Sequence, residues 1–217
     1  MVKKKYLSAA GISFLVFVSG VLVGWNINRQ NITGFQTELY KIQSQIQNFE
    51  LEVLLIDTIG EEVSCDLLNS ILENLGKDTA KLGQRLSAFQ NTRKLTDLEL
   101  DRIKRQYTFS LVKYWLFMEK IEGICGRNFV KILYFYSSKD CKDCENQGYV
   151  LDYIRDNYGE RFVVFALDVR LDEPIIDTLM SIYNVTEVPT LVINRETYPG
   201  FVDKNKLIII TETELRD

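Results

Sequence analysis

The sequence predicts an α/β domain in its C-terminal half, preceded by a transmembrane helix and by an α-helical region that could form a coiled coil. Strand-like apolar runs alternate with helical patterns after about residue 124, an uncharged apolar stretch lies near the N-terminus, and apolar residues recur at helical spacing between them. The expected boundaries are 1–6 for a cytoplasmic tail, 7–25 for the transmembrane helix, 26–34 for a linker, 35–123 for the helical region and 124–217 for the α/β domain.

Composition narrows the chemistry that the chain can perform. Its 217 residues carry a net charge of −4, which provides no basic surface field, so we expect no nucleic-acid partner. The chain contains no His, and therefore lacks the usual general base and the usual metal ligand. Only one Cys-x-x-Cys pair exists where four-Cys zinc sites commonly have two, so the sequence predicts no metal and no cofactor.

The transmembrane helix is predicted from the uncharged stretch Leu7 to Trp25, which is just long enough to cross a hydrocarbon core. Lys3-Lys4-Lys5 precede it, and the positive-inside rule then places the N-terminus in the cytoplasm and the rest of the chain outside. A cleaved signal peptide is the competing interpretation, but the apolar stretch is long for one and no Ala-x-Ala-like site follows. The prediction is a single-pass protein of the cell membrane, contacting lipid through residues 7–25.

The middle of the chain reads as several helices. Phe35, Leu39, Ile42, Ile46, Phe49, Val53 and Ile56 form a heptad stripe, which fits either a parallel homodimer or a helix packed within its own subunit. Gly76-Lys77-Asp78 predicts a helix stop followed by a new N-cap, and Thr96-Asp97-Leu98-Glu99 predicts a helix start near 97.

Cys65 lies within the predicted helical region, and Cys125 lies just after its end. In an oxidising compartment they could form a structural disulfide, whereas in a reducing one they would be buried free thiols. Spacing in the sequence does not show whether their Cβ atoms meet, so both alternatives stay open.

The C-terminal half alternates strands and helices. A nearly continuous apolar strand is expected at Val130 to Tyr136, a helix at Cys141 to Tyr158, a second buried strand at Arg161 to Asp168 and a helix opened by Asp172-Glu173-Pro174. Such alternation implies a parallel βαβ unit. A strand at Thr190 to Asn194, an edge strand around Tyr198 to Val202 and a final segment that fits helix or strand complete the pattern.

The chemistry centres on Cys141-Lys142-Asp143-Cys144, between the first strand and its helix. Two thiols three residues apart at a helix N-terminus can close a small ring and suit thiol–disulfide exchange. With Val188-Pro189-Thr190 forty-five residues later, this order resembles the thioredoxin family over roughly residues 128–217. The resemblance implies a thioredoxin-like fold, with Cys141 as the attacking thiolate and Cys144 as the resolving thiol. It also implies a cis Val188–Pro189 bond beside the motif, with Val188, Pro189 and Thr190 binding substrate.

Three departures from that family qualify the mechanism. Asp140 replaces the usual aromatic residue, and Lys142-Asp143 replaces Gly-Pro, so that one cation favours the Cys141 thiolate while two carboxylates oppose it. The buried carboxylate that often assists the second Cys is missing, since Tyr134 or Phe135 occupies its place. These departures favour a slower, partner-specific exchanger over a general reductase.

Two functions follow as hypotheses. The first is a membrane-anchored thiol–disulfide oxidoreductase that acts on protein thiols and disulfides outside the cytoplasm. The second is a thioredoxin-like docking or assembly module that dimerises through its membrane and heptad helices and whose Cys141–Cys144 disulfide is inert. A fold does not fix a function, so only the chemistry of the cysteine pair distinguishes them.

Overall fold

The computed structural model describes residues 14–21, 37, 40–41, 43–44, 47–48, 51, 54, 64–92, 97–126 and 129–214. Those between 14 and 54 are helical, and the heptad stripe from Phe35 to Ile56 lies outside the described residues. The remaining elements are labelled here as α1 (Cys65–Thr92), α2 (Asp97–Cys125), β1 (Val130–Tyr136), α3 (Cys144–Tyr158), β2 (Phe162–Asp168), α4 (Pro174–Ile182), β3 (Thr190–Ile193), β4 (Glu196–Pro199) and α5 (Lys204–Glu214).

The predicted fold class, an α/β thioredoxin-like domain behind a transmembrane helix and a helical region, is wrong. The described chain is mostly helical, its sheet is small and mixed, and a thioredoxin fold is not shown. The physical reason lies in α1 and α2, which are 28 and 29 residues long. Their buried residues belong to the same apolar cluster as one face of the sheet, so the helices and the sheet share one core.

The predicted membrane helix falls largely on residues that the structure does not describe. Of residues 7–25, only 14–21 are described, and they are helical. Across the described ranges, no helix is long and apolar enough to cross a membrane.

The sheet has the strand order β2-β1-β3-β4. Strands β1 and β2 are parallel, as the βαβ pattern predicted, while β3 runs antiparallel to β1 and β4 antiparallel to β3. Alternate β1 residues enter two different cores: Leu133 and Phe135 face the cluster that contains α1, α2 and α4, whereas Ile132 and Tyr134 face the cluster that contains α3 and α5. The sheet is therefore covered by helices on both faces.

Helix α1 continues through the stop that the sequence predicted at Gly76-Lys77-Asp78. A Cβ atom at Gly76 would lie 2.6 Å from the hydroxyl oxygen of Tyr114 on α2. That hydroxyl donates a hydrogen bond to the Leu72 carbonyl oxygen at 3.3 Å. Gly76 thus serves close helix packing and does not end the helix, which is why a local pattern misread it.

A disulfide between Cys65 and Cys125 joins the start of α1 to the end of α2, and the Cα atoms of the two cysteines are 5.7 Å apart. Cys65 is the first residue of α1 and Cys125 the last residue of α2. The pairing that the sequence left open therefore links the two ends of an antiparallel hairpin.

Helix α2 is also tied to the sheet by charge. Lys131 of β1 is 5% exposed, and its ammonium contacts Glu119, at 2.9 Å, and Glu122 of α2. An isolated cation at that depth would be costly, so the two carboxylates are what make a lysine tolerable in a buried strand.

The close approach at Gly76 can be tested against a matched glycine. Gly76→Ala should lower the free energy of unfolding by about 1–3 kcal/mol, because the new Cβ atom would displace the buried Tyr114 hydroxyl from its hydrogen bond with the Leu72 carbonyl oxygen. Gly148→Ala on α3, where a Cβ would meet nothing within 4 Å, should raise it by about 0.5–1 kcal/mol. Urea unfolding of both variants decides the matter, and stabilisation by Gly76→Ala would contradict the packing described.

The Cys65–Cys125 disulfide closes a segment with a sequence separation of 60. Replacing both residues by Ser should therefore lower the free energy of unfolding by about 4 kcal/mol, the entropy of closing such a loop in the unfolded chain. Urea unfolding without reductant measures this effect. The Cys141→Ser and Cys144→Ser double variant is the control and should lose clearly less, since its cysteines have a sequence separation of only 3.

Candidate active site

The disulfide Cys141–Cys144 lies at the junction between β1 and α3, with its Cα atoms 5.5 Å apart. Cys144 is the first residue of α3 and is 6% exposed, whereas Cys141 precedes the helix and is only half-buried. A reacting thiol or disulfide from outside can therefore reach Cys141 more readily than Cys144. One accessible and one protected sulfur suits stepwise dithiol exchange, because the rate of attack depends on access to the sulfur.

The N-terminus of α3 adds a favourable field at these sulfurs. Asp143 precedes the helix, and its side chain makes no capping hydrogen bond. The first-turn N–H groups are thus not neutralised by that carboxylate, and their partial positive charge favours a thiolate nearby. Lys142 and Asp143 are both exposed, so solvent screens their opposing charges.

Tyr134 of β1 contacts the first turn of α3 through a hydrogen bond. Its hydroxyl donates a hydrogen bond of 2.5 Å to the Cys144 carbonyl oxygen, and its ring stacks on Tyr136 with centroids 5.3 Å apart. Burial raises the pKa of both phenols, and the Asp168 carboxylate raises the pKa of Tyr136 further. Sequence reasoning placed Tyr134 or Phe135 where a carboxylate is often found. Strand alternation could have decided between them, since Phe135 faces the opposite core.

Asp168, at the end of β2, is the residue whose role sequence reasoning did not find. It is 2% exposed, and its carboxylate accepts hydrogen bonds from the Ser138 N–H at 3.3 Å and the Arg170 N–H at 3.1 Å. The Lys104 ammonium of α2 lies 3.5 Å from the same carboxylate. Asp168 therefore fixes the loop that leads to Cys141 and joins it to α2. No pattern in the sequence links Lys104 to Asp168.

The loop itself turns sharply before Cys141. Asp140 has φ 57°, in the left-handed region that is unfavourable for most residues, and its exposed carboxylate lies 4.0 Å from the Arg170 guanidinium. Ser137 and Lys139 close a small turn, in which the Ser137 hydroxyl donates to the Lys139 carbonyl oxygen. These contacts fix the direction from which the chain presents Cys141.

The segment Val188, Pro189 and Thr190 lies at the same end of the sheet. The Val188–Pro189 peptide bond is cis, and Pro189 and Thr190 are buried. Thr190 is paired with Phe135 in the ladder, so Pro189 comes beside the end of β1, where the disulfide loop begins. The Thr190 hydroxyl donates to the Glu187 carbonyl oxygen at 2.7 Å and is thereby occupied within the turn.

The chemistry available at this site is that of the disulfide. Over the described ranges, no three His, Cys, Asp or Glu side chains are arranged to hold a metal ion. The second disulfide, Cys65–Cys125, belongs to the helical hairpin and not to this loop.

Comparisons with known proteins assign no family. No protein-family profile matches this chain, and no curated protein is similar to it. One solved structure, described as that of a malarial protein, is 25% identical and covers 41% of this chain and 99% of its own, with a TM-score of 0.35. A score this low supports no argument about fold or function.

A third phenol near the site makes stability depend on pH. Burial raises the pKa of Tyr107 from 10.0 to about 12, while Arg155 partly opposes the shift. The folded chain therefore keeps this proton where the unfolded chain loses it, so stability is fully present below pH 10 and declines as pH rises towards 12.

Tyr107→Phe should remove this contribution. Between pH 9.5 and 11.5, the variant should lose about 2 kcal/mol less stability than the parent protein, as a shift of about two pKa units requires. Urea unfolding at several pH values, referred to pH 7 for each protein, measures the difference. Parallel pH profiles for the two proteins would disprove the assignment.

Proposed function

We propose that this protein is a thiol–disulfide oxidoreductase that exchanges the Cys141–Cys144 pair with cysteines of other proteins. The observation that carries the proposal is the asymmetry of the pair, with Cys141 half-buried ahead of a helix and Cys144 buried at its first residue. The sequence resemblance of the motif to that of the thioredoxin family supports the same activity. The proposal concerns the chemistry of the disulfide and not the fold class.

The exchange proceeds in two balanced steps. In the reduced protein, the Cys141 thiolate attacks a substrate disulfide, forms a mixed disulfide and releases one substrate sulfur as a thiolate. The Cys144 thiolate then attacks the Cys141 sulfur, which closes the Cys141–Cys144 disulfide and releases the second substrate sulfur. Two electrons pass to the substrate, and the reverse sequence oxidises a substrate dithiol. A protein dithiol or disulfide is the co-reactant in either direction.

The surroundings favour selective substrates. Asp140 and Lys142 are exposed on either side of Cys141, and Lys139 and Asp143 beyond them are exposed as well, so an approaching protein meets charges of both signs. A partner with the complementary arrangement would be attracted, and one with like charges in register would be repelled.

The proposed compartment is oxidising and extracytoplasmic. Disulfides persist in such compartments and are rare in the cytosol, and both cysteine pairs of this chain are bonded. Cys65–Cys125 is the more informative pair, because a structural role for a disulfide requires that it stay oxidised.

Trapping of mixed disulfides tests the proposal. Cys144→Ser keeps the attacking thiol and removes the resolving one. The variant should therefore accumulate mixed disulfides with cysteine-containing proteins, and a reductant should cleave these adducts. Cys141→Ser is the matched control and should accumulate at least about tenfold fewer, because its remaining thiol is buried. Non-reducing gels of the two full-length variants, expressed in parallel, show the adducts.

A reduction potential separates the enzyme from the docking module. Equilibration of the full chain with a dithiol buffer, followed by alkylation and mass spectrometry of each cysteine pair, should give a reversible potential for Cys141–Cys144 between about −270 and −120 mV. A potential below about −300 mV, together with no adducts from Cys144→Ser, would identify an inert disulfide and favour the docking module.

A further inference from the structure

A cavity of about 800 Å³ lies between the α1–α2 hairpin, helix α3 and the outer edge of β2. Within the part of the chain that the structure describes, β2 is a terminal strand of the sheet, and only its edge toward β1 is paired. Five successive residues, Phe162 to Ala166, line the cavity. Successive side chains point to opposite faces of a strand, so the cavity follows the backbone edge of β2 and not one of its faces.

The backbone groups along this edge have no partner within the described chain. In a strand, alternate residues direct their N–H and C=O groups away from the paired neighbour. Among the hydrogen bonds of the described residues, none beyond the β1 ladder involves the backbone of residues 163–166. Strand edges of this kind readily accept another strand.

The opposite wall of the cavity, formed by α1, also carries two polar atoms without hydrogen-bond partners among the described residues. Thr79 is 5% exposed, and neither its hydroxyl oxygen nor the buried side-chain oxygen of Asn69 has a hydrogen-bond partner among the described residues. Both residues lie on α1 and line the cavity. Buried polar atoms without partners are rare and costly, and these two can accept hydrogen bonds from N–H donors.

The charges that line the cavity neutralise one another. Each charged side chain in its wall is paired with another one in the wall: Glu73 with Lys77, Asp152 with Arg155, and Asp168 with Lys104. An ionic ligand would find no uncompensated charge to bind. The cavity therefore favours an uncharged occupant with hydrogen-bond donors and acceptors.

The cavity is wide enough for a polypeptide strand because several of the residues of α1 that line it are small. Gly76, Ala80 and Gly83 line the cavity at successive turns. Ala80 is exposed and lines the cavity, so a larger side chain at this position would take space from an occupant.

We propose that this cavity binds an extended, uncharged polypeptide segment, which adds to β2 as a further strand. A polypeptide backbone supplies N–H and C=O groups at the strand repeat, as the free edge of β2 requires. Its alternating side chains fill the apolar walls on either side. A compact apolar molecule would occupy the volume but leave the strand edge unpaired.

This binding goes beyond the exchange chemistry and does not depend on it. One end of the cavity is formed by Tyr136 and Asp168, and Asp168 holds the loop that leads to Cys141. A polypeptide bound along β2 would thus run towards the disulfide, and peptides without cysteine measure this binding separately from the exchange chemistry.

The probe is a pooled library of capped, cysteine-free and uncharged seven-residue peptides in which apolar and polar residues alternate. With the full-length oxidised protein, bound peptides should slow hydrogen exchange at the outward amides of residues 163–166 by at least about tenfold, the effect of one protected hydrogen bond. Peptides of the same sequence in which alternate backbone nitrogens are methylated lack the N–H donors for the strand edge. They should bind at least about tenfold more weakly.

Two matched variants locate the site. Ala80→Trp fills the cavity and should reduce peptide binding at least about tenfold, whereas Ala88→Trp, exposed on the same helix but outside the cavity, should leave it unchanged. Circular dichroism confirms that both variants fold.

Three results would overturn the proposal. The first is the absence of any bound peptide. The second is equal binding of the methylated peptides, which would favour a compact apolar ligand. The third is slow exchange of the outward β2 amides in the full-length protein without peptide, which would mean that another part of this chain already occupies the edge.

Discussion

The packing of α2 across one face of the sheet is the constraint on which the rest of the structure depends. Phe165 of β2 is fully buried beneath this helix, and its ring lies 5.6 Å from that of Tyr114. Ion pairs fix the helix at both ends: Lys131 meets two α2 carboxylates at one end, and Lys104 meets Asp168 at the other. Apolar burial supplies the stability of such an arrangement, and the charge pairs define its register because a buried charge without a partner is strongly unfavourable.

The position of the loop between β1 and α3, which contains Cys141, depends on this packing. Asp168 touches α2 through Lys104 and the loop through Ser138, so a single carboxylate transmits the placement of the helix to the approach of Cys141. Helix α3 is held independently. Gln147 is fully buried, and its side-chain amide accepts from the Val202 N–H at 2.8 Å and donates to the Val202 carbonyl at 3.3 Å. The two cysteines are thus positioned by different parts of the core.

Local patterns in the sequence succeeded where one element decides its own structure. The strand at Val130 to Tyr136 and the helix start near 97 were predicted, because apolar periodicity and capping are local properties. The parallel relation of β1 to β2 was predicted from the alternation of strands and helices along the chain. Local patterns failed at Gly76, where the local signal for a helix stop was overruled by a tyrosine on another helix. The fold class failed for a related reason: two long helices joined the core of the sheet, and the apolar pattern of a helix does not show which surface it packs against.

The sequence by itself identified the candidate reactive pair, since the chain contains four cysteines and no histidine, and only Cys141 and Cys144 have the spacing of a small ring. It also determined where the strands and helices near that pair lie. Only the tertiary structure decided that Cys65 meets Cys125, that Tyr134 supports the first turn of α3, and that Asp168 joins the loop to α2. These contacts unite residues distant in sequence, and the disulfide, the hydrogen bond and the ion pair that they comprise form only after the helices have packed on the sheet.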